Sequence, residues 1–418
     1  MSTFRNTVFP LFLLTVCPLF VLLIWHALTT GGGELSSLAG GVEALRLLGG
    51  TPRAWAIVGA FAAFELLLMR VLPGRRVEGP ITPSGYIPTY TANGPLAFGV
   101  TLAAWFGLTL GGVVSGGIVY DAFGEILGAL DGFALIVCLA LYLKGKYAPS
   151  TPDHGLTGNF IFDYYWGTEL YPSVLGWNVK QFTNCRFGMM GWAVILLSFA
   201  AAQAERTGLS DGMIVAIGLQ LIYIAKFFWW EDGYLRSLDI MHDRAGFYIV
   251  WGCLVWLPAT YTSSTLFLVE HPNPLGPVVA TAIAVVGTGA IAINYLADRQ
   301  RQRVRATNGN CTVWGKAPVT ILARYTTEKG EKKENLLLVS GWWGVARHFH
   351  YIPELVGAFA WVAPVGFGHA LPWFYAFFLC ILLTDRATRD DARCQAKYGP
   401  AWDEYRSRVP YKMIPGVY

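Results

Sequence analysis

Long apolar segments separated by polar loops dominate the pattern along the 418-residue chain. A helix that crosses the hydrocarbon core of a bilayer needs about 20 predominantly apolar residues. Eight segments approach or exceed that length, and two shorter ones follow a polar stretch. The predicted spans are 8–28, 54–72, 96–119, 126–144, 189–204, 212–230, 245–268, 276–297, 352–366 and 370–385. This pattern predicts an all-α, polytopic integral membrane protein with about ten transmembrane helices.

Basic residues are concentrated in every second predicted loop. The loop after the eighth span carries them from Arg299 to Lys333, whereas loops 120–125 and 269–275 contain no Lys or Arg. Because cytoplasmic loops carry the excess of Lys and Arg, we expect both termini to face the cytoplasm. The membrane would be the endoplasmic reticulum in a eukaryote and the cytoplasmic membrane in a bacterium. The first apolar segment lacks a small-residue cleavage site, so we expect a retained anchor rather than a signal peptide.

The composition agrees with a membrane protein and excludes several other classes. Hydrophobic residues make up 54% of the chain, charged residues only 14%, and the mean hydropathy is +0.43. Soluble domains contain about 25% charged residues, so a cytosolic enzyme and a disordered chain are both excluded. The net charge of +4 is small and dispersed, which argues against nucleic-acid binding. The seven cysteines are scattered without pairing rhythm and indicate neither a disulfide framework nor a zinc site.

The composition changes at about residue 185, and we place the domain boundary there. Residues 1–185 are rich in Gly and Ala and would form the first four transmembrane helices and a cytoplasmic loop. Residues 186–418 are rich in Trp, Tyr, His and paired charges close to apolar runs. We therefore expect this C-terminal half to form the catalytic unit. Within its large basic loop, residues 312–315 and 319–325 predict a short hairpin.

The first cluster of ionisable residues lies beside apolar runs between the sixth and seventh spans. It contains Glu231, followed by Asp239, His242 and Asp243. If the segment is helical, the i,i+4 spacing places Asp239 and Asp243 on one face with His242 beside them. An interfacial cap held by two neighbouring arginines is one interpretation. A proton donor is the other, because burial favours the protonated carboxyl.

A second cluster follows the large basic loop. Arg347, His348, His350, Tyr351 and Glu354 occur within eight residues between apolar stretches. Packing alone does not explain this density of polar groups, because ionisable residues at membrane depth are costly. The His-x-His pair lacks a clear third ligand, so we favour the floor of a polar pocket over a metal site.

A third cluster, residues 385–406, directly follows the last predicted span and mixes arginines with aromatic side chains. It predicts either a solvated amphipathic helix or a site for an anionic, ring-bearing ligand such as a nucleotide. Arg301 and Arg305 lie on the same predicted side of the membrane and could contact phosphates. The sequence contains neither a G-x-G-x-x-G motif after a strand nor a P-loop. Any dinucleotide would therefore bind at a site unlike the Rossmann fold.

At these three clusters the chain resembles the sterol reductase family, whose members include Δ14-sterol reductases, the lamin B receptor and 7-dehydrocholesterol reductase. The resemblance is carried by residues 238–243 (Leu-Asp-Ile-Met-His-Asp), by residues 337–349 with Gly-Trp-Trp-Gly-Val-Ala-Arg-His-Phe, and by the ending from Lys397-Tyr-Gly to residue 418. It implies NADPH as the hydride donor and reduction of a sterol ring double bond, C14=C15 or C7=C8. Residues 78–85 and 368–375 are more similar to the 7-dehydrocholesterol reductase branch.

The resemblance also implies cofactor positions in this sequence. They are Arg301, Arg305, Leu338, Trp343, His350, Tyr351, Asp390, Cys394, Gln395, Ala396, Lys397, Tyr398 and Tyr405. We add Arg347 as a candidate for the nicotinamide end and Arg386 as a candidate for a phosphate. Relatives commonly have Asn-Tyr where this chain has His350-Tyr351. Because His titrates near neutral pH, activity here is expected to depend on pH differently.

The implied reaction needs an acid, because an isolated ring alkene accepts hydride poorly until it is protonated. The acid candidates are Glu231, Asp239, His242 and Asp243, with no choice among them, and Tyr351 is a candidate for stabilising the cation. The sterol would enter from the lipid bilayer into a pocket that excludes water. We expect membrane lipids as surroundings and no obligatory protein partner. An isoprenylcysteine-type membrane methyltransferase and a non-catalytic sterol-binding protein remain alternatives.

Overall fold

This computed structural model describes residues 3–82, 84–326 and 332–418. Residue 83, in the branch motif 78–85, and residues 327–331 of the basic loop lie outside the described residues. The chain forms two compact units. The N-terminal unit comprises Met1–Pro274 and Pro364–Phe374, and the C-terminal unit comprises Leu275–Ala363 and Tyr375–Tyr418. The boundary predicted at residue 185 marks the start of the expected catalytic unit, residues 186–418, and it stays a prediction.

Seven helices in the described part of the chain are long and apolar enough to cross a membrane. They are Phe4–Thr29, Pro52–Val71, Phe123–Tyr147, Gln181–Arg206, Asp211–Trp229, Phe247–Glu270 and Pro277–Ala306. Each coincides with a predicted span, so the predicted all-α, polytopic membrane fold is confirmed. The stretches Phe4–Val8, Gln181–Met189 and Gly252–Tyr261 within them are π-helical.

The remaining three predicted spans differ from the expected helices. The span expected at 96–119 ends as the helix Gly94–Leu110, because two glycines follow it and Gly112 has φ +68°, which continues no α-helix. The span expected at 352–366 corresponds to Tyr351–Val362 with a 3₁₀ turn, Ala363–Val365. The span expected at 370–385 forms the apolar start of the longer helix Phe374–Tyr398, whose second half is charged. The expected count of about ten needs these shorter apolar stretches.

Short elements connect the long helices. In the N-terminal unit they are the 3₁₀ helices Leu35–Leu47 and Leu371–Trp373 and the α-helices Ile118–Asp121, Phe160–Trp166, Glu231–Tyr234 and Leu238–Met241. The C-terminal unit adds Trp342–Val345 and Pro400–Arg408. Two antiparallel strand pairs lie in the N-terminal unit: Arg75–Glu78 with Thr89–Ala92, and Ser173–Val174 with Trp177–Asn178.

The predicted hairpin in the basic loop is correct in one strand and wrong in its partner. Thr320–Thr326 is a strand, but it pairs antiparallel with Lys332–Leu338 rather than with residues 312–315. On the buried face of this hairpin, Ile321 and Ala323 from the first strand and Leu337 from the second pack against aromatic side chains near the C terminus. The basic residues expected at the start of this loop are helical instead, because Pro277–Ala306 continues past its apolar part.

The C-terminal tail is held by main-chain hydrogen bonds to the second polar cluster. The backbone N–H groups of Arg347 and His348 donate to the carbonyls of Tyr411 (3.0 Å) and Lys412 (2.8 Å). Val409 and Met413 are buried. This pairing fixes the backbone at Arg347 and His348.

Candidate functional site

Five residues of the C-terminal unit, Arg301, Arg305, Trp343, Tyr398 and Tyr405, form what we call the basic-aromatic cluster. Arg301 and Arg305 lie one turn apart on the helix Pro277–Ala306. The Arg301 guanidinium carbon is 3.9 Å from the centroid of the Trp343 ring, and its Nη2 donates to Asp298 Oδ1 at 2.9 Å. The Arg301 Nε is buried and has no hydrogen-bond partner within the described residues. A donor in that position is available for an anionic ligand.

Trp343 and Tyr405 are fixed by hydrogen bonds to the backbone. The Trp343 Nε1 donates to the Ala297 carbonyl at 2.8 Å, and the Tyr405 hydroxyl donates to the Trp343 carbonyl at 3.1 Å. Both side chains are buried. Leu338, another predicted cofactor position, packs beside Trp343 in one hydrophobic cluster. These contacts give the cluster a rigid aromatic wall.

The hairpin contributes two residues that sequence reasoning missed. Asn335 Nδ2 donates to the Tyr398 hydroxyl at 2.9 Å, and the Tyr325 ring meets Tyr398 edge-on at 5.5 Å. Lys397 places its Nζ 4.3 Å from the centroid of the Tyr325 ring. Arg305 Nε donates to the Leu336 carbonyl at 3.3 Å. The only available signal was the alternation of residues along the strands, which identifies no partners.

The other predicted positions on the helix Phe374–Tyr398 differ in exposure. Cys394 packs against the buried hydrophobic cluster, and burial raises the pKa of its thiol to about 12. The Gln395 Oε1 accepts a long hydrogen bond from Arg406 Nη1 at 3.5 Å. Ala396 is exposed, and Arg386 is half-buried. The cofactor roles of these residues stay predictions.

Arg347 is engaged with the protein itself. Its Nε donates to Asp391 Oδ1 at 3.1 Å, and its Nη1 donates to the carbonyls of Val409 and Pro410, both at 2.8 Å. Asp391 also accepts from Trp402 Nε1 at 3.3 Å. The guanidinium therefore joins the helix Phe374–Tyr398 to the tail, and its role at the nicotinamide end stays a prediction.

His348, His350 and Tyr351 form a compact aromatic group. The His348 ring stacks on the Tyr351 ring at 5.6 Å, and the His350 ring lies 4.1 Å from Tyr351 and 5.1 Å from Trp343. His348 Nδ1 is 3.8 Å from Asp390 Oδ2, and its Nε2 has no hydrogen-bond partner among the residues described. Burial lowers the pKa of His348 to about 4, although Asp390 acts in the opposite direction. The imidazole is therefore neutral at physiological pH.

Across residues 3–82, 84–326 and 332–418, no group of three or more His, Cys, Asp or Glu side chains has an arrangement that could hold a metal ion. His348 and His350 belong to the aromatic group just described, and the polar pocket floor expected there stays a prediction.

Glu231, in the N-terminal unit, lies in a buried ion pair. Its Oε1 is 2.6 Å from Arg186 Nη1, and its Oε2 accepts from the Gly94 backbone N–H at 2.8 Å. Arg186 is fully buried, Glu231 is only 2% exposed, and Arg186 Nη2 also donates to Asn93 Oδ1 at 2.7 Å. Removing one partner of a buried pair leaves an uncompensated charge. Glu231 is therefore held by a buried ion pair and by a backbone hydrogen bond.

Asp239, His242 and Asp243 lie on what we call the acid segment, residues 238–243. The helix on which the two aspartates would share a face does not extend to Asp243, because Leu238–Met241 ends before it. The two carboxylates nevertheless share a neighbour, since both act electrostatically on Lys180. Asp243 is buried, Asp239 is half-buried and His242 is exposed.

Lys180 is the residue at this site that sequence reasoning missed. It is 1% exposed, and its Nζ donates to the carbonyls of Ile240 and Asp243, each at 2.7 Å. Burial lowers the pKa of Lys180 to about 7, although the carboxylates of Asp243 and Asp239 act in the opposite direction. In the sequence Lys180 looks like one more basic residue of a cytoplasmic loop, because nothing local reveals its burial.

A second polar pair lies close to the acid segment. Asn184 Nδ2 donates to the Tyr234 hydroxyl at 3.1 Å, and Asp239 acts electrostatically on Tyr234. Burial raises the pKa of Tyr234, so this phenol stays protonated. Lys180 thus donates hydrogen bonds to the acid segment, and the Tyr234 phenol lies within electrostatic range of Asp239.

Comparison with known proteins now places this arrangement in a family. Residues 35–418 match the sequence profile of the Ergosterol biosynthesis ERG4/ERG24 family. The chain belongs to this family. The resemblance to sterol reductases inferred from the three clusters is therefore confirmed.

Several relatives match nearly the whole chain. A 7-dehydrocholesterol reductase of Arabidopsis thaliana is 51% identical, covering 97% of this chain and 96% of the relative. A 7-dehydrocholesterol reductase of Xenopus laevis is 37% identical, covering 86% of this chain and 79% of the relative. A Delta(14)-sterol reductase of Methylotuvimicrobium alcaliphilum is 35% identical, covering 98% of this chain and 94% of the relative. Similarity to both kinds of reductase agrees with a membrane oxidoreductase of sterol biosynthesis.

Proposed function

We propose that this protein reduces a ring carbon–carbon double bond of a sterol, C7=C8 in preference to C14=C15, with NADPH as hydride donor. The observation that carries the choice of bond is the difference in identity. The chain is 51% identical to a 7-dehydrocholesterol reductase over 97% of its length, but 35% identical to a Delta(14)-sterol reductase over a similar length. The branch motifs at 78–85 and 368–375 support the same choice.

The basic-aromatic cluster supports NADPH as the cofactor. Arg301 and Arg305 supply guanidinium groups suited to phosphate oxygens, and Trp343, Tyr398 and Tyr405 supply ring faces. The orphaned Arg301 Nε and His348 Nε2 are buried polar atoms that a ligand would satisfy. These residues therefore fit the group, which when bound supplies a hydride.

The acid segment supplies the proton in this proposal. Asp239 and Asp243 are the preferred donors, because Glu231 is engaged by Arg186, whereas both aspartates act electrostatically on the buried Lys180. A proton delivered to one alkene carbon leaves a carbocation at the other, which then accepts the hydride. Excluding water prevents hydration of this cation. The membrane environment provides that exclusion and delivers the sterol.

The proposal is tested by turnover of the purified protein in bilayers with NADPH, with a Δ7 and a Δ14 sterol supplied separately. Mass spectrometry of the product identifies the bond reduced. In D₂O we expect one deuterium from solvent at one carbon, and with deuterated NADPH one deuterium at the adjacent carbon. Reduction of only the Δ14 sterol would overturn the choice of bond. If NADPH binds but neither sterol is reduced, the proposed substrate class is wrong.

A further inference from the structure

We infer that Lys180 is a positioning residue that holds the acid segment, residues 238–243, in the conformation needed for proton delivery. This inference rests on the proposed function. It assigns a role to a residue that lies outside the predicted site.

The local structure of the acid segment explains why it needs an external support. Leu238–Met241 is only four residues long, so almost none of its carbonyls can be paired within the helix. A Lys side chain near a helix C terminus can pair with the last carbonyls. Lys180 does so twice, at Ile240 and at Asp243, and both N–O distances are 2.7 Å. One ammonium therefore spans the end of the helix and the residue beyond it.

Hydrogen bonds and nearby carboxylates compensate for the burial of the Lys180 side chain. Burying an ammonium is costly unless hydrogen bonds and opposite charges compensate. Here two carbonyls accept from Nζ, and the carboxylates of Asp239 and Asp243 stabilise the charge. The Tyr171 ring covers Nζ at 5.2 Å. Because Lys180 is buried and both of its hydrogen bonds go to the acid segment, it fixes that segment relative to the helix Gln181–Arg206.

Other contacts hold the chain on both sides of the acid segment. Glu231, upstream, is paired with Arg186, which lies on the same helix that begins directly after Lys180. Downstream, Ala245 N–H donates to the Glu169 carbonyl at 2.9 Å, and Arg244 Nη1 donates to the Gly155 carbonyl at 2.8 Å. Lys180 supplies the support between these two points. Its hydrogen bonds to the carbonyls of Ile240 and Asp243 position the backbone that carries Asp239 and Asp243.

The test is Lys180→Met, which keeps the length of the side chain but removes its charge and donors. We expect kcat to fall at least tenfold, while the KM for sterol and the Kd for NADPH change less than threefold. Lys180→Arg keeps the charge and donors, and we expect it to retain more of kcat than the methionine variant. Lys226→Met, at a half-buried lysine 4.6 Å from the Tyr223 ring, is the matched control and should keep wild-type kcat.

Isotope effects separate a positioning role from a loss of folded protein. If proton delivery becomes slower, the solvent isotope effect on kcat increases in Lys180→Met and the effect of deuterated NADPH decreases. Partial misfolding lowers the amount of active enzyme and changes neither ratio. Wild-type isotope effects in Lys180→Met would overturn this inference alone. A wild-type protein that reduces neither sterol would overturn the proposed function and this inference with it.

Discussion

Lys180 and Arg186 are both buried. Lys180 directly precedes the transmembrane helix Gln181–Arg206, and Arg186 lies in its first turns. Their partners lie in the segment that follows the helix Asp211–Trp229. Arg186 pairs with Glu231, and Lys180 pairs with the carbonyls of Ile240 and Asp243. The sequence predicted Glu231 and Asp243 as notable residues, because ionisable groups beside apolar runs are rare. It did not predict their basic partners. Burial of a lysine in a loop depends on contacts distant in sequence, and no local pattern records them.

Asp239 provides the most direct test of the proposed proton donor. Asp239→Asn removes the proton while keeping the size of the side chain, and loss of a general acid typically costs a factor of about 10² to 10⁴. We expect turnover to fall by at least about 100-fold with NADPH affinity unchanged, measured by steady-state kinetics and by titration of bound cofactor. Asp121→Asn, at an exposed aspartate paired with Arg206, is the control. Unchanged turnover would remove Asp239 from the candidates.

His348 makes stability depend on pH in a defined window. Its pKa is about 4 in the folded protein and 6.5 when unperturbed. Between these values the unfolded chain binds the proton and the folded chain does not, so the free energy of unfolding falls as pH falls from about 6.5 to about 4. We expect a contribution of up to about 3 kcal/mol in that window.

The measurement is the thermal midpoint of the detergent-solubilised protein as a function of pH. His348→Asn removes the titrating group, so the variant should lose less stability on acidification than the wild type. Carboxylates titrate in the same window in both proteins and cancel in the difference. Equal slopes for the two proteins would contradict the assignment.

At the scale of elements, hydropathy predicted the long helices because apolarity over about 20 residues is a local property. Hydropathy predicted the wrong element where a helix break, or the choice of a pairing strand, decided the local structure. Two glycines end the helix Gly94–Leu110, and the strand Thr320–Thr326 chooses a partner further along the chain. The charged end of Pro277–Ala306 looked like a loop, because hydropathy records polarity and not helix continuity.

Gly246 shows how closely the elements around the acid segment approach one another. A Cβ added there would lie 2.2 Å from the backbone N of Gly167. Since neither backbone can give way, Gly246→Ala should destabilise the N-terminal unit by at least about 3 kcal/mol. The reaction of the buried Cys138 and Cys185 thiols with a fluorogenic reagent during heating reports the unfolding.

Gly218→Ala is the matched control for this substitution. Gly218 lies within the helix Asp211–Trp229, and an added Cβ there meets nothing within 4 Å. Because Ala favours a helix by up to about 1 kcal/mol over Gly, the control should be as stable as the wild type or more so. A Gly246→Ala protein with wild-type stability would mean that Gly167 and Gly246 do not approach so closely.

At the scale of the whole molecule, the alternation of basic and bare loops predicts a single orientation in the membrane. Both termini should be cytoplasmic, and loop 269–275 should face the opposite side. Cysteine-accessibility labelling from each side of sealed vesicles measures this, with Ser2→Cys reporting the N terminus and Asn273→Cys the opposite side. Labelling of both from the same side would contradict the prediction.

The helix Pro277–Ala306 has 30 residues without interruption, which is about 45 Å at 1.5 Å per residue. The hydrocarbon core of a bilayer is about 30 Å thick, so the end that carries Arg301 and Arg305 extends beyond it as part of the same rigid rod. A helix responds to a thinner or thicker bilayer by changing its tilt, and a tilt of this rod moves both guanidinium groups with it. If Arg301 and Arg305 hold the phosphates of NADPH as proposed, we expect the affinity for the cofactor to change with the length of the surrounding acyl chains, although no lipid touches the site.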